Sequence, residues 1–130
     1  MNKPLIALIG NPNSGKTAIF NLLTGLSQKV SNYPGITIDR KIGSVSYNKT
    51  LFDLLDLPGT YSITPETVDE RIVSEQILTW IHNPELRPNV IVSVIDGSNL
   101  SRNLFLTSQV AELGIPLIIA LNMMDRVKAK

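Results

Sequence analysis

The sequence contains no cysteine and only one histidine, His82. Disulfides, thiolate nucleophiles and cysteine-based metal sites are therefore excluded. With no second histidine, a site built on paired histidines is not expected, and His82, beside Asn83-Pro84, reads as a helix C-terminal residue. Aromatic residues make up only 5% of the chain, and the single tryptophan, Trp80, is expected to pack a helix. No apolar run is long enough for a bilayer: the longest uncharged apolar stretch, Leu113 to Met124, falls short of the roughly 18–20 residues a span needs. The start MNKPLIALIG has no small-residue cleavage site, so no secretion signal is read there. Runs of one charge are missing too. Twelve basic residues stand against eleven acidic ones, net +1, and Asp39-Arg40-Lys41 is mixed in sign. A nucleic-acid partner is not expected from that balance, and the chain by itself is expected to be soluble.

What remains is an ordinary globular composition, with 43% hydrophobic and 18% charged residues over 130 positions. That length suits one domain with a core that needs no staples. PLIALI (4–9), VIVSVI (90–95) and LIIAL (117–121) are all-apolar runs that read as buried strands of a parallel sheet. Lys16 to Thr24 reads as a helix stopped by Gly25, and residues 27–37 as a loop marked by Asn32 and Pro34-Gly35. Val45 and Tyr47 alternate with serines, Asn48-Lys49 makes a tight turn, and Leu51 to Leu57 returns as the second arm of a hairpin. Ile42 is out of phase, so a bulge is expected at Gly43. Thr67 and Glu70 form a capping box for a helix with Ile72, Val73, Ile77, Trp80 and Ile81 inward, which Asn83-Pro84 stops. Asn99 caps a further helix with Leu100, Leu104, Val110 and Leu113 inward, ended by Gly114. The fold class is α/β: a doubly wound, mostly parallel sheet with one antiparallel edge hairpin.

The strongest motif is GNPNSGKT, Gly10 to Thr17, an instance of G-x-x-x-x-G-K-[ST] between a buried strand and an amphipathic helix. Gly10 and Gly15 let the loop of Asn11, Pro12, Asn13 and Ser14 wrap and bring backbone N–H groups onto phosphates. The helix start, with Ala18, adds its dipole. Lys16 is expected at the β- and γ-phosphates and the Thr17 hydroxyl on Mg²⁺. Asp56-Leu57-Pro58-Gly59 follows an apolar strand, so Asp56 is expected to hold Mg²⁺ through water and the Gly59 N–H to meet the γ-phosphate. Thr37, within Gly35-Ile36-Thr37-Ile38-Asp39, is placed to complete the Mg²⁺ shell in the GTP state. Asn122-Met123-Met124-Asp125 ends the last strand. The two oxygens of an ionised Asp125 match the N1–H and amino group of guanine, a donor pair adenine lacks, and Met123 has an apolar stem to pack on the base. Where Ras-like switches have a glutamine after the Asp-x-x-Gly, this sequence has Thr60.

GNPNSGKTAIFNLLTG, SNYPGITIDRKIG, DLPGTYS and ALNMMD together resemble the N-terminal GTPase domain of FeoB, the bacterial ferrous iron transport protein, over nearly the whole chain from Leu5 to Asp125. The resemblance implies a P-loop NTPase fold of the Ras-like kind, a G domain over residues 1–130 lacking the last strand, last helix and Ser/Ala-rich guanine loop that should follow Asp125. It implies a GTPase on the cytoplasmic face of the bacterial membrane, joined through a helical bundle to a permease, both absent here, with a small Feo accessory protein as a candidate further partner. Its activity would be slow, Mg²⁺-dependent GTP hydrolysis that regulates iron uptake. It also implies potassium activation. A K⁺ ion in the arginine-finger position would be held by the Asn13 side chain and by backbone carbonyls from Ser31 to Tyr33, leaving water positioning to backbone groups near Gly35. Asn13, Lys16, Thr37 and Gly59 are then the expected catalytic set. The rival reading is a guanine-nucleotide switch with negligible hydrolysis.

Overall fold

The computed structural model of the chain describes residues 4–12, 14–25, 28–31, 40–63, 66–98 and 100–122. Strand β1 (Leu5–Gly10) leads into helix α1 (Lys16–Thr24). Strands β2 (Gln28–Ser31), β3 (Arg40–Tyr47) and β4 (Thr50–Asp56) follow, then helix α2 (Val68–His82), strand β5 (Val90–Asp96), helix α3 (Leu100–Ala111) and strand β6 (Leu117–Asn122). They form one six-stranded sheet in the order β2-β3-β4-β1-β5-β6. β1 lies parallel to both β4 and β5, and β6 is parallel to β5, while β3 runs antiparallel to its two neighbours, β2 and β4.

The all-apolar strands are explained by helices on both faces. Ala7 and Ile9 of β1 pack with Leu55, Leu57, Ile91, Val73, Ile77 and Trp80 of one core cluster, joined by Leu106 and Val110 of α3. Leu8, between them in sequence, points the other way and packs with Phe20, Val45, Leu54 and Val94 beneath α1. Each of the larger aliphatic side chains contributes about 1.5–3 kcal/mol by leaving water. Helix α1 carries the chain from β1 toward β4, whereas α3 carries it from β5 toward β6. The connections therefore diverge between β1 and β5, the place where doubly wound sheets bind ligands outside their carboxyl ends. The register aligns Leu8 with Asp56, Gly10 with Val94 and Asp96 with Asn122. Gly10, Asp56 and Asn122 thus share one rim.

The capping box forms as expected, with Glu70 N donating to Thr67 Oγ1 and Thr67 N to Glu70 Oε1, both at 3.1 Å. The tight turn at Asn48 and Lys49 also forms, with φ of 50° and 65°. Five expectations are corrected. Residues 28–31 are a strand rather than loop, so the edge belongs to β2 and not to the hairpin. Pairing of β3 with β4 runs without interruption from Lys41–Asp56 to Tyr47–Thr50, so Gly43 hosts no bulge. A side chain there would collide with Thr24 and Phe20 of α1. Ile42 is out of phase because it serves the opposite, α2-covered face, and Tyr47, at the end of β3, is exposed. On α2, Ile81 is exposed while Gln76 is fully buried. On α3 the inward face is Asn103, Leu106, Thr107 and Val110, leaving Leu100 and Leu104 exposed. Strand β6 pairs on one side only among the described residues, so Ile118, Ile119 and Leu121 are exposed, not buried.

Candidate functional site

The chain leaves β1 at Gly10 and folds back on itself before α1. Ser14 N donates to Asn11 O at 3.2 Å, and Gly15 adopts φ 90°, ψ 10° as the N-cap. That left-handed conformation is readily open only to glycine. Among the described residues no side chain caps α1, so its first-turn N–H groups keep their donor capacity at the positive end of the helix. Beside it is a pocket of about 340 Å³ lined by Asn11, Pro12, Gly15, Lys16, Thr17, Ala18, Gly59 and Asp69.

Lys16 is buried, and its Nζ donates to Oδ1 of Asp56 at the end of β4; each side chain is only 6% exposed. A buried ammonium and a buried carboxylate need one another, because either alone has a large desolvation cost. Asp56 does not itself line the pocket and is joined to it through Lys16. The Asp56–Gly59 stretch lies directly on the loop: a Cβ on Gly59 would come within 3.0 Å of Pro12 Cα. Leu57 N donates to Leu8 O at 3.3 Å and Thr60 N to Gly10 O at 3.0 Å. The Leu57 side chain is in the core, so only its backbone belongs to the rim. Ser14 Oγ and Thr60 Oγ1, in the two segments that frame the pocket, are buried hydroxyls with no hydrogen-bond partner among the described residues. Asn122 Nδ2 donates to Ser14 O at 3.0 Å, which joins the end of β6 to the phosphate-loop backbone across 108 residues.

Of the residues singled out in the sequence, Gly10, Asn11, Pro12, Ser14, Gly15, Lys16, Thr17, Ala18, Asp56, Leu57, Pro58, Gly59 and Asn122 gather on this rim. Ser31 ends β2. Asn13, Tyr33, Gly35, Ile36, Thr37, Ile38, Asp39, Met123, Met124 and Asp125 lie outside the described residues, as does the expected cap Asn99. Asp69 is an addition. It is an exposed acid in the first turn of α2 that lines the pocket. The capping box could have pointed there, since it starts α2 a few residues after Gly59. No three His, Cys, Asp or Glu side chains gather into a metal-binding group among the described residues.

A loop that offers backbone donors and an ammonium to an anion, with a carboxylate directly behind, is chemistry for a phosphate chain with a hard cation. The profile of the family described as Ferrous iron transport protein B matches residues 4–130. This chain belongs to that family. The Fe(2+) transporter FeoB of Shigella flexneri is 49% identical over 129 residues, which is 96% of this chain but 16% of that protein. A crystal structure of an S. thermophilus NFeoB variant bound to mGDP superposes with a TM-score of 0.82 at 45% identity, covering 98% of this chain and 46% of that one. The G domain of the T. maritima FeoB iron transporter gives a TM-score of 0.82 at 34% identity, over 99% of this chain and 77% of that one. The FeoB match fixes the fold as that of FeoB G domains. No helix among the described residues is long and apolar enough to cross a membrane.

Proposed function

We propose that residues 1–130 are a G domain that binds and hydrolyses GTP on the cytoplasmic side of a ferrous iron transporter and regulates iron uptake through a permease region of the same protein. The observation that carries this reading is the buried Lys16–Asp56 pair beside the start of α1, with Lys16 and Gly59 lining one pocket and Asp56 behind it. The residues present fit a nucleotide with Mg²⁺: Thr17 in the pocket and Asp56 behind it supply the hydroxyl and carboxylate oxygens a hard dication takes. Bound there, Mg²⁺ would supply charge neutralisation between the β- and γ-phosphates. Thr37 would complete that shell. Lys16 binds the β- and γ-phosphates, the Gly59 N–H meets the γ-phosphate, and Asn122 and Asp125 select guanine. Asn13, with carbonyls from Ser31 to Tyr33, would hold K⁺, a role that rests on the family resemblance alone.

One observation favours the rival, a guanine-nucleotide switch that barely hydrolyses. Thr60 takes the place of the usual glutamine, is 3% exposed, and holds its hydroxyl inside the fold rather than toward a water. The hydrolase reading answers that backbone groups near Gly35 position the water. Binding is the first test. The Asp125 carboxylate should give guanine charge-assisted bonds of about 1.5–3 kcal/mol each. Titration with fluorescent GDP should show binding to the parent and at least a tenfold loss in Asp125→Asn; an unchanged variant would remove guanine recognition from the account.

A further inference from the structure

Nothing in the phosphate chemistry uses α3, yet α3 is bonded to the segment that carries Gly59. Ile63 N donates to Gln109 Oε1 at 3.1 Å, a tie between residues 46 positions apart. Gln109 is half-buried on α3, and the Ile63 side chain packs against the core beside it. The stretch from Thr60 to Ile63 has two further ties. Thr60 N donates to Gly10 O at 3.0 Å, and Ser62 Oγ donates to Glu70 Oε2 at 3.2 Å. The other oxygen of Glu70 accepts from Thr67 N in the capping box. The stretch after Gly59 is thus fixed at one end to the phosphate loop, in the middle to the start of α2, and at its far end to α3. Ile63 is four steps along the chain from Gly59, a reach of at most about 14 Å, so a shift at the α3 tie is passed along little slack to the Gly59 N–H.

We propose that Gln109 is a positioning residue: its amide oxygen, presented from α3, holds the Gly59–Ile63 segment where the Gly59 N–H can meet a γ-phosphate. This rests on the reading of the chain as a GTP-binding domain. The consequence is selective. GDP has no γ-phosphate and does not draw on Gly59, so loss of the tie acts on the triphosphate alone. A residue that merely supported the fold would weaken both nucleotides together.

Gln109→Leu removes the acceptor at similar size, and Gln109→Glu keeps an oxygen acceptor at the same reach. Affinities for a non-hydrolysable GTP analogue and for GDP, with Mg²⁺, and kcat and KM for GTP are measured for the parent and both variants. Loss of one neutral hydrogen bond predicts that Gln109→Leu binds the GTP analogue about fivefold to tenfold more weakly and turns over GTP more slowly. Its GDP affinity stays within about twofold, and Gln109→Glu recovers most of the loss. Gln109→Ala carries the same expectation should the leucine variant misfold. Equal binding of the analogue by parent and Gln109→Leu, an equal loss for both nucleotides, or no recovery in Gln109→Glu would overturn the proposal. A parent that binds GDP but not the GTP analogue would instead overturn the GTP reading beneath it.

Discussion

Replacing Lys16 by methionine keeps most of the side-chain volume and removes the ammonium. The Asp56 carboxylate, 6% exposed, is then buried with no counter-charge. Breaking a buried ion pair from one side costs about 3–5 kcal/mol, a large share of the roughly 5–15 kcal/mol that holds a domain together. For a chain of this size each kcal/mol moves the melting temperature by about 3–5 °C. Lys16→Met should therefore melt about 9–25 °C below the parent. The assay is thermal unfolding by circular dichroism at neutral pH, without nucleotide and with a chelator present, so that the fold alone is read. Asp56→Asn should be destabilising in the same way, because it strands the ammonium. The double variant Lys16→Met/Asp56→Asn removes both charges and should recover at least about 2 kcal/mol relative to the sum of the single changes. If Lys16→Met melts within about 2 °C of the parent, or the double variant is simply additive, the buried pair is not the electrostatic hinge of the loop.

Two further changes test the packing and the capping. Gln76 on α2 is fully buried and neither of its amide atoms has a partner among the described residues, so Gln76→Met should raise stability by about 1–3 kcal/mol. Urea unfolding measures it, and a lower midpoint would mean the amide is satisfied in solution. Thr67→Ala removes the acceptor of Glu70 N and should cost about 1 kcal/mol. Because it also loosens Glu70, amide exchange in the first turn of α2 should rise while the rest of the helix is unchanged; uniform protection throughout would refute a local role for the cap.

Legibility followed how local each determinant is. The phosphate loop, the Thr67–Glu70 box and the Asn48-Lys49 turn are written in a few adjacent residues, and the sequence is enough to find them. Strand β2 is not, because QKVS has no alternation and its partner is β3, whose pairing orders it from outside. Ile42 misleads any one-faced reading, since the sheet is covered on both faces and each phase has a core to enter. On α3 the apolar pattern chose Leu100 and Leu104, but the helix buries Asn103 and Thr107. Asn103 Oδ1 accepts from Asp96 N at 3.1 Å and Thr107 shares a 2.7 Å hydrogen bond with Ser93. Polar residues can face a core once their partners are present, and the partners lie on another element. The links from Asn122 to Ser14 and from Gln109 to Ile63 are likewise invisible in one dimension. Only the folded rim brings their ends together.

The proposed activity of this rim is GTP hydrolysis without a glutamine. It is tested most directly by GTP turnover with Mg²⁺ in potassium chloride against sodium chloride at matched ionic strength. Turnover that is clearly faster in potassium is the predicted result, and it would make Asn13 the next residue to replace. Equal and negligible release of phosphate in both salts, from a protein that still binds GDP, would contradict the hydrolase and leave a nucleotide switch.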